Sequence, residues 1–249
     1  MAGHSHASNV AVRKGKADKA RSKIFTKIAR EIIVAVKSGA PDPDANPRLR
    51  AAISAARAAN MPNDRIKSAI AQGSGSNKGD DYKEMRYEGY GPGGIAIMIQ
   101  ALTDNPNRTA SDVRSTFTKF GGNLGETNSV AFSFEKVGLV EYPAEKASAD
   151  AVLEAAIDAG AEDCESDEAA HRIYCKPESL NVVRDALNKK FGDAETARFS
   201  WKPTNTVPAN LETAQTLLKL VEALEEYDDV QYVESNVDID DATMQQLAS

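Results

Sequence analysis

The chain is poor in the residues that carry most protein chemistry. Among 249 residues there are 2 cysteines, 3 histidines and 1 tryptophan, and aromatics make up only 6%. Cys164 and Cys175 do not form a C-x-x-C pair, so their spacing predicts reduced structural thiols rather than a disulfide framework. His4, His6 and His171 have no companion residues that complete a metal site. Neither Gly-x-Ser-x-Gly nor His-Glu-x-x-His occurs. The expectation is a protein that is not an enzyme, with no catalytic residues, cofactor, metal or evident small-molecule substrate. No run approaches the ~18 apolar residues of a membrane span, so no membrane partner is expected. The start, Met1-Ala2-Gly3-His4-Ser5, lacks the apolar core of a secretory signal, and the expected compartment is the cytoplasm.

What is present is a division of charge. Residues 1–72 hold 14 of the 30 Lys/Arg and 5 of the 37 Asp/Glu, a formal charge of +9. The remainder carries −16, and the overall −7 conceals a basic module joined to an acidic body. A local basic bias of this kind points to a polyanion, most often nucleic acid.

The basic part begins with an arm, residues 1–16, whose small, polar and basic composition predicts flexibility. A helix is expected from near Asp18. Ile24, Phe25, Ile28, Ala29, Ile32, Ile33 and Val36 recur at helical spacing and make an apolar stripe. Lys16, Lys19, Lys23, Lys27, Arg30 and Lys37 fall on the other side. Ser38-Gly39-Ala40-Pro41 stops the helix. Asn46-Pro47 starts a second, to about Ala59, and Asn63 or Asp64 caps a third that ends at Gly73. Residues 17–73 thus read as a basic helical bundle, and Gly73–Gly79 as a flexible linker.

Beyond the linker the apolar period changes. Strands are expected over Met85–Tyr90, Ile95–Leu102 and Val130–Phe134, with a helix opening near Asn107 or Thr109. Residues 137–202 read as strand, helix, two strands, helix and strand, the ferredoxin-like β-α-β-β-α-β order. Helix 211–226 and strand 230–235 are assigned to the sheet begun at Met85. The expected class is α+β multidomain: the bundle, then a middle domain (80–136 with 203–240) into which a ferredoxin-like domain (137–202) is inserted.

The strongest candidate site is the cationic helix face with the basic arm. Cations along one face neutralise successive phosphates and release condensed counterions. The candidates are Arg13, Lys14, Lys16, Lys19, Lys23, Lys27 and Arg30, with Arg48 and Arg50 from the second helix. Asn105–Thr109 opens a helix whose free N–H groups, with Arg108 and Arg114, make a possible secondary anion site. Tyr87–Gly94 is not a P-loop, since no Gly-Lys-Ser/Thr follows, and it reads as a tight hairpin needing positive φ. Gly121–Gly125 reads as a second turn.

Several pieces in order resemble the YebC/PmpR family, which includes a mitochondrial translational activator. They are Met1–Ser5, Arg13–Asp18, Lys23–Lys27, Asn46–Arg50, Asn60-Met61-Pro62, Tyr87–Gly94, Asn107-Arg108-Thr109, Gly121–Gly125 and the Asp228–Gln231 region. The arm departs from the family pattern: over His6–Val12 a base-stacking aromatic and one or two cations are missing. The resemblance implies three domains and a non-enzymatic, cytoplasmic, nucleic-acid-binding regulator of gene expression. Its target is either ribosomal RNA and the ribosome, in translation, or double-stranded DNA, in transcription. The sequence leans to RNA, because helix 47–59 is Ala-rich apart from Arg48, Arg50 and Arg57 and no dimerisation heptad is evident. The oligomeric state is left open.

Overall fold

The computed structural model describes residues 17–75 and 81–247, with side chains from Ser22 onward. Helices α1 (Ala17–Lys37), α2 (Pro47–Ala58) and α3 (Asn63–Ser74) come first. Strands β1 (Lys83–Tyr90) and β2 (Ala96–Thr103) follow, then helix α4 (Pro106–Lys119), strand β3 (Asn123–Leu124) and strand β4 (Phe134–Pro143). Helix α5 (Ala149–Asp158), strands β5 (Asp163–Ser166) and β6 (Ala170–Cys175), helix α6 (Leu180–Phe191) and strand β7 (Thr196–Pro203) come next. The chain closes with β8 (Val207–Pro208), α7 (Leu211–Glu225), β9 (Val230–Ser235), β10 (Val237–Asp238) and α8 (Asp241–Leu247). Among the described residues no helix is long and apolar enough to cross a membrane.

The chain divides into two compact units. One comprises 81–135 with 201–247. Its sheet runs β3-β1-β2-β9, with β1 and β9 both antiparallel to the central β2. All of β2 except Gln100 is buried, because both faces are covered. Ile97, Ile99 and Ala101 share a core with Val113 and Phe117 of α4 and Leu217, Leu220 and Leu224 of α7. Ala96 and Met98 share a second core with Val130 and Phe134. Asn105 caps α4 by accepting from Arg108 N at 3.1 Å, so neither Asn107 nor Thr109 is the cap expected there. Pro106 takes the first helical position, where a missing N–H costs nothing.

The other unit comprises 18–75 with 136–200. Its sheet runs β5-β6-β4-β7, with β6 antiparallel to both β4 and β5. Helices α5 and α6 share a core with Val140, Tyr142 and Ile173 of that sheet. Buried Arg172 pairs with Glu141 at 3.1 Å and Asp167 at 2.6 Å. His171 is buried too, with Nδ1 at Ser166 Oγ and Nε2 at the Ala144 and Ala147 carbonyls. In the helical part, Asn46 joins α1 to α2. Its Oδ1 accepts from Leu49 N at 3.1 Å as the cap of α2, while Nδ2 donates to Ala35 O at 2.7 Å and Ala40 O at 2.8 Å. Asn60, at φ 58°, ends α2 in the left-handed region that asparagine tolerates. On α6, buried Arg184 donates to Pro47 O at the start of α2.

Four expectations need correction. Ile24 is 47% exposed rather than part of the apolar stripe, whereas Ile32–Val36 is buried on every side of α1. Residue Pro62 occupies the cap position of α3 and brings no side-chain bond, so neither Asn63 nor Asp64 is the cap. Both fall in the first turn, where the Asp64 carboxylate faces the positive end of the helix dipole. Residues Val130–Ser133 are not a strand, and Phe134 instead opens β4. A 3-10 turn spans Ala131–Ser133, because Val130 N and Ser133 O bond to Glu88 and Thr204 rather than to a ladder partner. Finally, the parallel β8–β10 pair and α8 had no counterpart in the reading of the sequence.

Replacing Asn46 with Ala removes a helix cap and the amide donor to the Ala35 and Ala40 carbonyls, which should cost about 1–3 kcal/mol in chemical denaturation. Asn46→Asp keeps the cap acceptor but loses the donor, so it should remain destabilised. Wild-type stability in both variants would contradict this role.

Acid should loosen the sheet that holds Arg172. Burial pushes the Asp167 carboxyl up, but hydrogen bonds from Arg172 and the Ala169 and Ala170 N–H groups outweigh it and hold the group below its ordinary value. A lowered folded-state pKa means the stabilisation is complete above the unfolded value near about pH 4 and is lost as pH falls through the folded value. Thermal midpoints measured across that range should fall less steeply for Asp167→Asn than for the wild type.

Candidate nucleic-acid interface

The cationic face of α1 depends on how that helix is anchored. Its C-terminal half is buried, and Gly73 of α3 lies so close that an added Cβ would sit 2.8 Å from Val36 Cβ. That contact fixes which way the N-terminal half turns. Phe25 points inward and carries the Arg65 guanidinium over its ring at 5.7 Å. Lys23, Lys27 and Arg30, at i, i+4 and i+7, are half-exposed, and Lys37 in the last turn is exposed. Lysine there also suits the negative end of the helix dipole. Arg13, Lys14 and Lys16, and the Lys19 side chain, lie outside the described residues.

The two α2 arginines are already engaged. Arg48 makes a two-pronged pair with Glu31 of α1, Nε to Oε1 at 2.6 Å and Nη2 to Oε2 at 3.1 Å. Arg50 donates to Pro43 O and Asp44 O, both at 2.9 Å, and meets Asp185 of α6 at 3.5 Å. A phosphate at either guanidinium would have to compete with these partners.

The proposed secondary anion site is occupied by the chain's own carboxylates. Arg108 Nη2 reaches Asp104 at 2.7 Å and Asp229 at 2.8 Å, and the two raise the guanidinium pKa further above its ordinary value. Asp229 Oδ2 also accepts from Thr109 Oγ1 at 2.6 Å and Thr103 Oγ1 at 3.1 Å. Asp229 comes from just before β9, so negative charge at the start of α4 is supplied from 121 residues away. Arg114 is exposed six residues further along α4.

The aromatic pair of the Tyr87–Gly94 motif is structural. Tyr87 OH donates to Pro106 O at 3.1 Å and Tyr90 OH to Ser129 O at 2.9 Å. The hairpin puts Gly93 and Gly94 at φ 71° and 75°. Among the described residues no group of three or more His, Cys, Asp or Glu is placed to hold a metal ion. Burial pushes the Cys175 thiol up to about 11 and raises Cys164 as well, so neither is a thiolate at neutral pH.

This architecture places the chain among known proteins. Residues 5–76 match the family model described as the TACO1/YebC protein N-terminal domain, and residues 82–237 match Transcrip_reg, the TACO1/YebC second and third domain. The chain belongs to the TACO1/YebC family. A solved relative is the conserved hypothetical protein Aq1575 from Aquifex aeolicus. It is 49% identical, superposes with a TM-score of 0.87, and the match covers 92% of this chain and 95% of that one.

Two features escaped the reading of the sequence: the carboxylates Asp229 and Asp185 that hold Arg108 and Arg50, and buried Glu88 behind the glycine-rich loops. Only Glu88 had a local signal, an acidic residue between the apolar positions of a strand.

Valine at Gly91 or Gly94 should lower the thermal midpoint for different reasons. At Gly91 a Cβ would stand 2.8 Å from Ile97 Cδ1, whereas at Gly94 the space is open and only the positive φ penalises the side chain. Each should cost about 1–3 kcal/mol. Asn at position 94 should recover part of that loss, and Asn at 91 should not.

Proposed function

We propose that this protein is a non-enzymatic, cytoplasmic nucleic-acid-binding regulator of gene expression that acts on translation. Its basic N-terminal helical region would hold ribosomal RNA on the ribosome. The observation that carries the reading is the row Lys23, Lys27 and Arg30 on the half-exposed face of a helix whose other end is buried. Lys19 and the arm residues Arg13, Lys14 and Lys16 extend the same positive run in sequence, while Arg48 and Arg50 would join only in competition with Glu31 and Asp185. RNA held by shape and backbone needs such a row and no base-reading helix. Apart from Arg48, Arg50 and Arg57, the accessible positions of α2 carry only Pro47, Ala51, Ala55 and Ala58, with no Asn or Gln to read base edges, which supports RNA over duplex DNA.

The same reading divides the chain into a basic arm (1–16), a helical bundle (17–73), a middle domain (80–136 with 203–240) and a ferredoxin-like insert (137–202). The strand order β5-β6-β4-β7 and the two helices α5 and α6 support the last assignment. A second reading, a double-stranded DNA-binding transcriptional regulator, draws on the name Transcrip_reg carried by the matching family model.

The test is a variant with Lys19, Lys23, Lys27 and Arg30 all replaced by Gln. Its affinity for structured ribosomal RNA fragments should fall, and the slope of log affinity against log salt should shrink by up to about 3. The thermal midpoint should change by only a few degrees. Unchanged affinity and slope would overturn the cationic-face reading.

A further inference from the structure

Phe132 is 70% exposed, while its neighbours two residues away on either side, Val130 and Phe134, are core residues. An exposed ring on a slack loop would mean little. This loop is held from several directions. Glu88, itself buried, accepts Asn128 N on one carboxylate oxygen and Val130 N on the other, both at 3.0 Å. Its charge is matched by Arg86 Nε at 2.9 Å. The same guanidinium donates to Asn128 Oδ1 at 2.8 Å and lies over the Trp201 ring at 5.0 Å. Asn128 is kept at φ 70°, outside the usual range for a side-chain-bearing residue. On the far side, Thr204 donates from N to Ser133 O at 2.9 Å and from Oγ1 to Phe132 O at 3.4 Å.

The two glycine-rich motifs make this possible. Gly89 pairs with Leu124 and Tyr90 with Asn123, and a Cβ on Gly122 would sit 2.6 Å from Tyr90 O. Tyr90 OH then donates to Ser129 O at 2.9 Å. What had read as two separate turns is one close-packed body, and the segment it fixes ends in a solvent-facing aromatic ring.

We propose that Phe132 is a stacking platform for an unpaired nucleobase. The inference rests on the nucleic-acid reading above and adds a contact distinct from the cationic helix. A protein-docking surface needs a contiguous apolar patch, yet among the described residues of its own unit Phe132 is the one large apolar side chain that is exposed. A lone, pre-positioned ring suits a single base, since every base has a π-face and little ordering entropy is lost. Glu88, the carboxylate that holds the loop, is buried and paired with Arg86.

The probe is a hairpin RNA whose unpaired loop carries 2-aminopurine, titrated beside its stem as a blunt duplex. Wild-type protein should quench the fluorophore. Phe132→Leu should lose roughly 5- to 150-fold in affinity for the hairpin, the contribution of one stacked base, with the salt slope and the duplex affinity unchanged. Phe132→Trp should retain quenching, and both variants should melt with the wild type because the side chain is exposed. Equal hairpin affinity and quenching by Phe132→Leu, or equal losses on hairpin and duplex, would overturn the stacking site alone. Wild-type protein that binds neither RNA would overturn the nucleic-acid reading and this proposal with it. The variant with Lys23, Lys27 and Arg30 replaced by Gln separates the two contacts, since it should flatten the salt slope on both probes.

Discussion

The side-chain amide of Asn46 is the junction on which the N-terminal region depends. One end of it starts α2, and the other satisfies carbonyls at the end of α1 and in the connection. The three bonds fix the angle between the two helices with a residue that is itself buried. With that angle fixed, Ile32–Val36 are enclosed, and the preceding turns present Lys23, Lys27 and Arg30 outward. The helix is therefore asymmetric along its length as well as around it: the enclosed end provides the anchor and the open end carries the charge. Apolar burial supplies the free energy, and hydrogen bonding supplies the geometry.

Charged groups elsewhere follow one rule. Glu88, Arg172 and Asp229 are each removed from water: Glu88 and Asp229 are met by a partner of opposite sign and by further hydrogen bonds, and Arg172 by two carboxylates, Glu141 and Asp167. A charge left alone in those positions would be severely destabilising. The same rule reaches residues offered as phosphate ligands. Arg48, Arg50 and Arg108 look in sequence like phosphate ligands, yet each guanidinium has an internal carboxylate. The α1 row Lys23, Lys27 and Arg30 lies along the half-exposed face of a single helix.

Local signals made much of the fold legible. The Asn-Pro pair at 46–47 marked a helix start, because a capping amide followed by proline is a local device that needs no tertiary partner; the same device at 105–106 was passed over for Asn107 or Thr109. The run of Ile, Met and Leu in β2, broken only by Gln100 before Thr103, identified a buried strand. What could not be read depended on contacts distant in sequence. Val130–Phe134 has a strand-like composition, but the backbone before Phe134 is claimed by Glu88 and Thr204. Ile24 has the right helical spacing, but it falls on the open half of α1. The β8–β10 pair joins short segments across the whole of α7 and β9, with nothing local to announce it. For the candidate site the same division holds: the cationic row is a property of one helix and was visible, whereas the partners of Arg50 and Arg108 come from 135 and 121 residues away.

The central claim is that the basic end of this chain serves translation. Sedimentation of the full-length protein with ribosomes across a salt series, alongside duplex DNA binding by the same preparation, tests it most directly. The account predicts co-sedimentation that survives physiological salt and DNA binding that is weak and salt-labile. Tight, sequence-dependent DNA binding with no ribosome association would contradict it.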